Sequence, residues 1–317
     1  MTLDEPFFKK QSDDPDLQRR RKWPEPQHPK ENRKLFTESK SITYLENEAA
    51  TIYLNAKGGP QTCFKVYGSP CTPNNRNWAF GYPPGTAQEL WDTIPLDTDI
   101  VVTHTPPLGH CDMAVYDERT GCKELSQALR RVRPMLSVFG HIHEARGVER
   151  VRWNLDASAP ANECPTESVE IWEDPGIGKK QSTVDLSARG GRRLENGGRL
   201  TRQIHDGGVS LLDENLGRLP DILGGSGSND STSHEGVTGE ATGRVKVMLG
   251  GAIECRQGTL AGGIGLGQPR EMQAEERRET VMINAAFCGP HHLKTVFNKP
   301  IVVDVDLPVW TRCNDAG

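Results

Sequence analysis

Two histidines stand one residue apart in the stretch VFGHIHEARG at residues 138–147, directly after a short apolar run and a glycine. A third, His104, ends the run DIVVTH at residues 99–104. Imidazole is the commonest metal ligand in proteins, and it suits Zn, Mn or Fe better than Ca, which prefers oxygen. His104, His141 and His143 are therefore candidate metal ligands.

The spacing of the pair indicates what such a site would do. Gly140 permits a sharp turn, and His141 and His143, at positions i and i+2, would point to one side of an extended chain, so that each could serve a different metal. Two ions about 3.5 to 4 Å apart bind a phosphoryl oxygen and activate a bridging water. Histidines at strand ends also hydrogen-bond to neighbouring backbone, however. The residues alone leave both interpretations open for the pair and favour the structural one for His104 taken singly.

Other polar residues near the histidines carry weaker signals. Glu144 and Arg146 are predicted to be surface residues, and His110 an exposed loop residue. Asp112, in PPLGHCD, is open to either a structural or a functional role.

A βαβ pattern surrounds the histidines. The continuous apolar run of residues 100–102 predicts a strand buried on both faces, and MLSVFG at 135–140 predicts a second one. Between them, CKELSQALRRVRP at 122–134 has apolar residues three and four apart and a terminal proline, which predicts an amphipathic helix of about three turns. Parallel strands in such a unit end at the same edge of the sheet, where open α/β sheets bind ligands. We therefore expect the three histidines to converge there.

The rest of the chain supplies further elements and one long region of a different composition. Residues 1–35 contain five prolines, exclude a long regular element and are predicted to be a loop or lid. Residues 161–277 are predicted to be a largely disordered insertion, because 20 of the 33 glycines fall within 190–267 and such sequence buries little apolar surface. The sequence thus divides into a core at 1–160, the insertion at 161–277 and returning core strands at 278–312. Within the insertion, residues 209–216 and 245–249 are candidates for local secondary structure. Further elements are predicted as strands at 41–47, 50–55, 63–70, 147–156, 279–287 and 300–310 and a helix at 86–94.

Bulk composition argues against several partners. The net charge of −5, from 38 basic and 43 acidic residues, argues against nucleic acid and against a polybasic membrane anchor, and the basic run at 19–22 is interpreted as a solvated face. The eight cysteines contain no C-x-x-C pair. The start of the chain has no apolar signal peptide, and no run reaches the roughly 18 apolar residues that span a bilayer. These features predict a cytoplasmic protein in a reducing compartment. The oligomeric state is left open.

The segments DIVVTHTPPLGHCD, CKELSQALRRVRPMLSVFGHIHEARG and TVMINAA together resemble the calcineurin-like metallophosphoesterases. They look closest to the branch of metallophosphoesterase domain-containing proteins similar to class III cyclic-nucleotide phosphodiesterases, of fungal type. The resemblance covers about residues 36–156 and 279–310. It implies an α/β fold, an α/β/β/α sandwich, and a dinuclear centre of Mn, Fe or Zn. Carried over by position, His104 and His141 would bind one metal and His143 the other.

This sequence departs from the family pattern in its carboxylates. The family also has D-x-H, G-D and G-N-H-[DE] motifs, and none of them occurs in the chain. They normally precede the region that resembles SITYLENEAATIYLN, so the sandwich is expected to be incomplete here and any metal weakly bound. Neutral imidazoles alone leave the charge of two divalent ions unbalanced.

Two classes of function follow. The first is an enzyme, a metal-dependent phosphomonoesterase or phosphodiesterase acting on a small phosphoester, with this chain alone weak or inactive. The second is a degenerate phosphoesterase fold that acts as a non-catalytic binding protein. The substrate-binding residues and the substrate itself are not indicated by the sequence.

Overall fold

The structure is a computed structural model that describes residues 3–13, 28–54, 62–73, 78–116, 118–154, 166–174, 180–196, 201–204, 243–248, 277–289 and 297–312. Its elements in chain order are α1 (Glu5–Asp13), α2 (Pro29–Thr37), β1 (Glu48–Leu54), β2 (Thr62–Ser69), β3 (Thr72–Pro73), β4 (Gly81–Tyr82), α3 (Ala87–Asp92), β5 (Ile100–Thr103), α4 (Lys123–Val132), β6 (Leu136–Phe139), β7 (Gly147–Trp153), β8 (Thr166–Trp172), β9 (Ser182–Leu186), β10 (Thr201–Ile204), β11 (Gly243–Met248), β12 (Glu279–Asn284), β13 (Ile301–Leu307) and β14 (Val309–Arg312). Within these ranges no helix is both long and apolar enough to cross a membrane.

A nine-stranded sheet is the centre of the fold. Its strand order is β10-β14-β2-β5-β6-β12-β7-β8, with β1 paired to β2. The four central strands β2, β5, β6 and β12 are mutually parallel, whereas β7 and β8 continue the sheet in antiparallel pairing. A second sheet has the order β11-β13-β9, and β3 and β4 form a short third one. The predicted α/β class is confirmed by this arrangement.

Layers of apolar side chains cover both faces of the central strands. Successive residues of a strand point to opposite faces, and in β12 Val281 and Ile283 join one cluster while Met282 joins another. The first cluster includes Val303 and Val305 of the second sheet, and so packs sheet against sheet. The second includes the buried residues of α3 and α4. The described residues thus form helix, sheet and sheet layers, and the incomplete four-layer sandwich expected from the resemblance stays a prediction.

The predicted βαβ unit is confirmed. Helix α4 begins after Cys122, whose Sγ accepts a hydrogen bond from the Leu125 backbone N–H. It buries Leu125, Leu129 and Val132 and ends at Arg133, which adopts the left-handed conformation immediately before Pro134. A residue before proline is disfavoured in the right-handed helical region, so the helix ends there. The predicted helix at 86–94 and the strands at 147–156 and 279–287 are also confirmed within three residues at their ends, and the predicted strand at 300–310 is divided into β13 and β14.

Two predictions near the start of the chain differ from the structure. Residues 5–13 and 29–37 are helical, each over nine residues, despite the prolines. Pro6 and Pro29 lie in the first turns of these helices, where the missing N–H has no intrahelical partner to lose. The predicted strand at 41–47 is wrong. This segment crosses β2 closely at Gly68, where an added Cβ would lie 2.6 Å from the Leu45 Cβ, and the extended strand begins only at Glu48.

Part of the range 161–277 is described, and that part is folded. Strand β8 pairs with β7, and β9 pairs with β13 in the second sheet. The segment around Asn196 bonds to the start of β12, because its Oδ1 accepts from the Glu279 N–H at 2.8 Å. Strand β11 covers most of the segment 245–249, which the sequence indicated as a candidate for local secondary structure. The remaining residues of 161–277, including 209–216, lie outside the described residues, and the predicted flexibility there stays a prediction.

Candidate metal centre

The carboxyl ends of three parallel strands bring the histidine segments together. His104 directly follows β5, and Gly140 and Ala285 directly follow β6 and β12. Backbone hydrogen bonds continue the sheet one residue further, from Gly140 N to His104 O at 3.3 Å and from Ala285 N to Phe139 O at 2.7 Å. His104 N also donates to Ser69 O at 3.0 Å at the end of β2. Strand register therefore fixes where each histidine leaves the sheet.

His104 and His141 are in ring contact at this edge. Their ring centroids are 4.6 Å apart, with the planes inclined at 62°. His104 remains open to solvent on one side. Partial burial of its ring, together with the nearby charge of His143, lowers the pKa of His104. The ring contact brings His104 and His141 together, and convergence of His143 with them stays a prediction.

The turn between the histidines differs from the predicted one. The left-handed backbone conformation falls on His141, with φ of +67°, and not on Gly140. His143 begins a 3-10 turn that spans His143–Ala145. The two histidines are therefore not consecutive same-side residues of an extended chain. The geometry of the turn, and not strand alternation, decides where their rings point.

An exposed aromatic side chain flanks the histidines. Trp78 is 53% exposed, and its ring lies edge-on to His141 with 5.8 Å between centroids. Sequence reasoning did not single it out. Its only local signal is a large aromatic residue within the polar stretch NNRNWAFGY.

His110 and Asp112 serve the loop that follows His104, and neither belongs to the histidine group. His110 is only 5% exposed, so the prediction of an exposed loop residue is wrong. Its Nδ1 lies 3.0 Å from Glu149 Oε2 on β7. The buried Asp112 carboxylate accepts hydrogen bonds from Gly109 N at 3.0 Å, Gly121 N at 3.1 Å and Arg119 Nη1 at 2.9 Å. Both side chains therefore hold the loop in shape.

Arg146 is half-buried and has a structural role at the end of the histidine turn. Its Nη2 donates to Lys299 O at 2.8 Å and to Ser182 Oγ at 3.2 Å. Burial lowers the pKa of its guanidinium. These bonds join the end of the histidine turn to the second sheet.

The donor set at the edge decides which metal site it fits. Across the described ranges, no group of three or more His, Cys, Asp and Glu side chains is arranged to hold a metal ion. Two imidazoles with nitrogens about 2.1 Å from a shared ion are compatible with the 4.6 Å ring separation of His104 and His141. A bridging carboxylate for two ions is not among the described groups. The described residues therefore do not fit a dinuclear centre.

Parts of the chain are similar to parts of several known proteins. No family model matches the chain. Metallophosphoesterase domain-containing protein 1 of Homo sapiens is 46% identical over 100 residues, which are 31% of this chain and 31% of that protein. The UPF0046 protein T07D4.2 of Caenorhabditis elegans is 49% identical over 86 residues, 26% of this chain and 21% of that protein. About a third of the chain is thus similar to part of a protein named for a metallophosphoesterase domain.

One further relative carries a different name. The protein named probable rhamnogalacturonate lyase C of Emericella nidulans is 46% identical over 126 residues, 39% of this chain and 11% of that protein. The chain thus spans only 11% to 31% of the lengths of these three relatives. The names of the relatives describe whole proteins, and the match concerns a limited part of each.

Proposed function

We propose that the protein is of the metallophosphoesterase type and that its substrate is a small phosphomonoester or phosphodiester. The proposed branch is the one similar to class III cyclic-nucleotide phosphodiesterases, of fungal type. The contact between His104 and His141 at the carboxyl edge of adjacent parallel strands carries this proposal. The similarity to the human metallophosphoesterase domain-containing protein supports the class, and the similarity to the Emericella nidulans protein supports the fungal type.

The three histidines are the proposed metal ligands. His104 and His141 would hold one divalent ion, Mn, Fe or Zn, and the family resemblance assigns His143 to a second position, which the described residues do not complete. A bound ion of this kind supplies Lewis acidity and an activated water. Without carboxylates, binding is weak, because loss of supporting ligands alone commonly costs 10 to 100-fold in affinity or activity. This chain by itself therefore hydrolyses phosphoesters slowly or not at all.

The proposed location and partners rest on charge and cysteine chemistry. The five cysteines that the structure describes are all free thiols, which supports a reducing compartment such as the cytoplasm. A net charge of −5 disfavours binding to nucleic acid and to anionic membranes, because both present negative charge.

The experiment assays the purified chain with p-nitrophenyl phosphate and its bis ester, with Mn or Zn added, alongside metal analysis. We expect turnover close to the buffer background and, for zinc, weak binding that is lost in His104→Ala and His141→Ala. The matched control is His28→Ala, because His28 is an exposed histidine that precedes α2 and does not follow any of the three parallel strands that lead to the edge. Robust turnover that disappears in His143→Ala would contradict the proposal, since the chain would then possess carboxylates that complete the site.

A second candidate is a non-catalytic binding protein built on the same fold. The observation that favours it is the donor set, because the described groups do not form a cluster of three metal-binding side chains. This candidate predicts that zinc binding to wild type and its loss in His141→Ala occur without any turnover. Measurable turnover that depends on zinc would favour the enzyme.

A further inference from the structure

The side chain of Asn284 uses all of its hydrogen-bonding groups at the histidine edge. Asn284 is the last residue of β12 and is 0% exposed. Its Nδ2 donates to Ile142 O at 2.8 Å and to Cys111 O at 3.0 Å. Its Oδ1 accepts from the Ala286 N–H at 3.0 Å. A buried amide with a complete set of partners is oriented in one way only, since its oxygen and nitrogen cannot exchange places without losing these bonds.

The turn that Asn284 contacts is a strained one. Ile142 N donates to Gly140 O at 2.8 Å, an i to i+2 hydrogen bond that closes around His141. With φ of +67° at His141, this is the form of the γ-turn that is rare and strained, and the central residue is not a glycine. Such a conformation persists only where the surroundings restrain it.

The bond to Ile142 O acts at the point between the two histidines. Ile142 lies between His141 and His143, and its carbonyl also accepts from Ala145 N at 3.4 Å in the turn that begins at His143. The hydrogen bond from Asn284 to Ile142 O therefore restrains the residue between the strained His141 and the turn that begins at His143.

The bond to Cys111 O reaches the other histidine segment. Cys111 belongs to the loop that follows β5 and His104. Its N–H is held by Glu149 Oε1 at 3.3 Å. Asn284 therefore joins the loop after His104 to the turn that contains His141 through two donors on a single nitrogen.

We propose that Asn284 is a positioning residue, which holds the strained turn at His141 and thereby sets the separation of the His104 and His141 rings. Asn284 acts through its hydrogen bonds to the backbone carbonyls of Ile142 and Cys111. The role belongs to the folded chain itself, and it holds whether or not the edge binds metal or hydrolyses phosphoesters.

The first test uses the ring contact as its readout. Nine histidines labelled with ¹³C and ¹⁵N in a deuterated background give a small set of imidazole signals, assigned with single His→Gln variants. At 4.6 Å between centroids, the His104 and His141 ring protons in the wild-type chain give a nuclear Overhauser cross-peak. Asn284→Asp has the same shape but lacks the two donors, and we expect it to lose this cross-peak.

Thr280→Val is the matched control on the same strand. Thr280 is also 0% exposed, and its Oγ1 donates to Pro134 O at 2.7 Å and accepts from Trp153 Nε1 at 2.8 Å. Loss of the Thr280 hydroxyl disturbs a buried hydrogen-bonded site at the end of β12 opposite to Asn284. We expect the cross-peak between the His104 and His141 rings to remain in this variant. An unchanged cross-peak in Asn284→Asp, or its equal loss in Thr280→Val, would overturn the proposal.

The second test uses stability and does not depend on the imidazole spectrum. Glycine at position 141 removes the steric cost of the left-handed conformation. We therefore expect Asn284→Ala to lower the urea midpoint by a smaller shift in the His141→Gly background than in wild type. Equal shifts in the two backgrounds would show that Asn284 does not restrain the turn at His141, and the proposal would fail.

Discussion

Arg277 and Asp99 form a buried ion pair that joins the beginnings of two central strands. Arg277 Nη2 lies 2.6 Å from Asp99 Oδ1, and the side chains are 8% and 0% exposed. Arg277 Nη1 also donates to Thr98 O at 2.6 Å. The second carboxylate oxygen of Asp99 accepts from the Lys65 N–H at 2.6 Å on β2. The pair therefore connects the residues that precede β12 and β5 to β2, which is the neighbour of β5 in the sheet.

Replacement of Arg277 by Met tests the contribution of this pair. Methionine retains an apolar side chain of similar length and removes the guanidinium, so the Asp99 carboxylate loses its cationic partner and Thr98 O loses a donor. Removal of one partner of a buried ion pair costs about 3 to 5 kcal/mol. We expect the free energy of unfolding to fall by this amount, which is a large share of the roughly 5 to 15 kcal/mol of an ordinary domain.

The measurement is urea unfolding followed by circular dichroism, with Arg278→Met as the matched control. Arg278 is the adjacent residue in the chain but is exposed, and a surface substitution of this kind changes stability by about 0.5 kcal/mol or less. Asp99→Asn combined with Arg277→Met should cost less than the sum of the two single changes, because the double variant leaves no uncompensated charge. A loss below about 1 kcal/mol for Arg277→Met, or equal losses for Arg277→Met and Arg278→Met, would refute the assignment of a buried stabilising pair.

Two further predictions concern the histidine edge. The pKa of His104 is lowered from 6.5 in the folded protein. As the pH falls through about 6.5, the unfolded chain therefore binds a proton at His104 before the folded chain does, and the free energy of unfolding decreases. Urea midpoints at about pH 7.5 and pH 5.5 should therefore differ less in His104→Gln than in wild type, and an unchanged difference would argue against the shift. His141→Gly should raise the free energy of unfolding by about 1 kcal/mol, because glycine adopts positive φ without a Cβ clash. His141→Ala should give no such gain in the same unfolding measurement, and equal effects of the two substitutions would count against strain at this residue.

Local patterns in the sequence were sufficient for the elements that carry the histidines. The three-and-four spacing of Leu125, Leu129 and Val132 predicted α4, and the continuous apolar runs predicted β5 and β6, all as the structure has them. These signals are local because helix and strand periodicity are read within about ten residues. The handedness of βαβ units then places the strand ends at one edge, and His104 and His141 meet there.

Other features of the site depended on contacts that no local pattern contains. The sequence suggested Gly140 as the turning residue, but the left-handed conformation lies on His141, in a turn held by hydrogen bonds from elsewhere in the fold. Asn284 appears in the sequence only as a polar residue inside an apolar run. Its partners Ile142 and Cys111 lie 142 and 173 residues away. Pairing of β12 beside β6 creates these contacts.

The sequence by itself therefore determined the residue types of the edge and the strands that lead to it. The tertiary structure alone decided that His110 and Asp112 support the loop after His104, that Arg277 pairs with Asp99 across 178 residues, and that Trp78 stands beside His141. The physical reason is the range of the interactions. Backbone periodicity acts between near neighbours, whereas burial, ion pairing and side-chain hydrogen bonds act between whichever groups the packed sheets bring within a few ångströms.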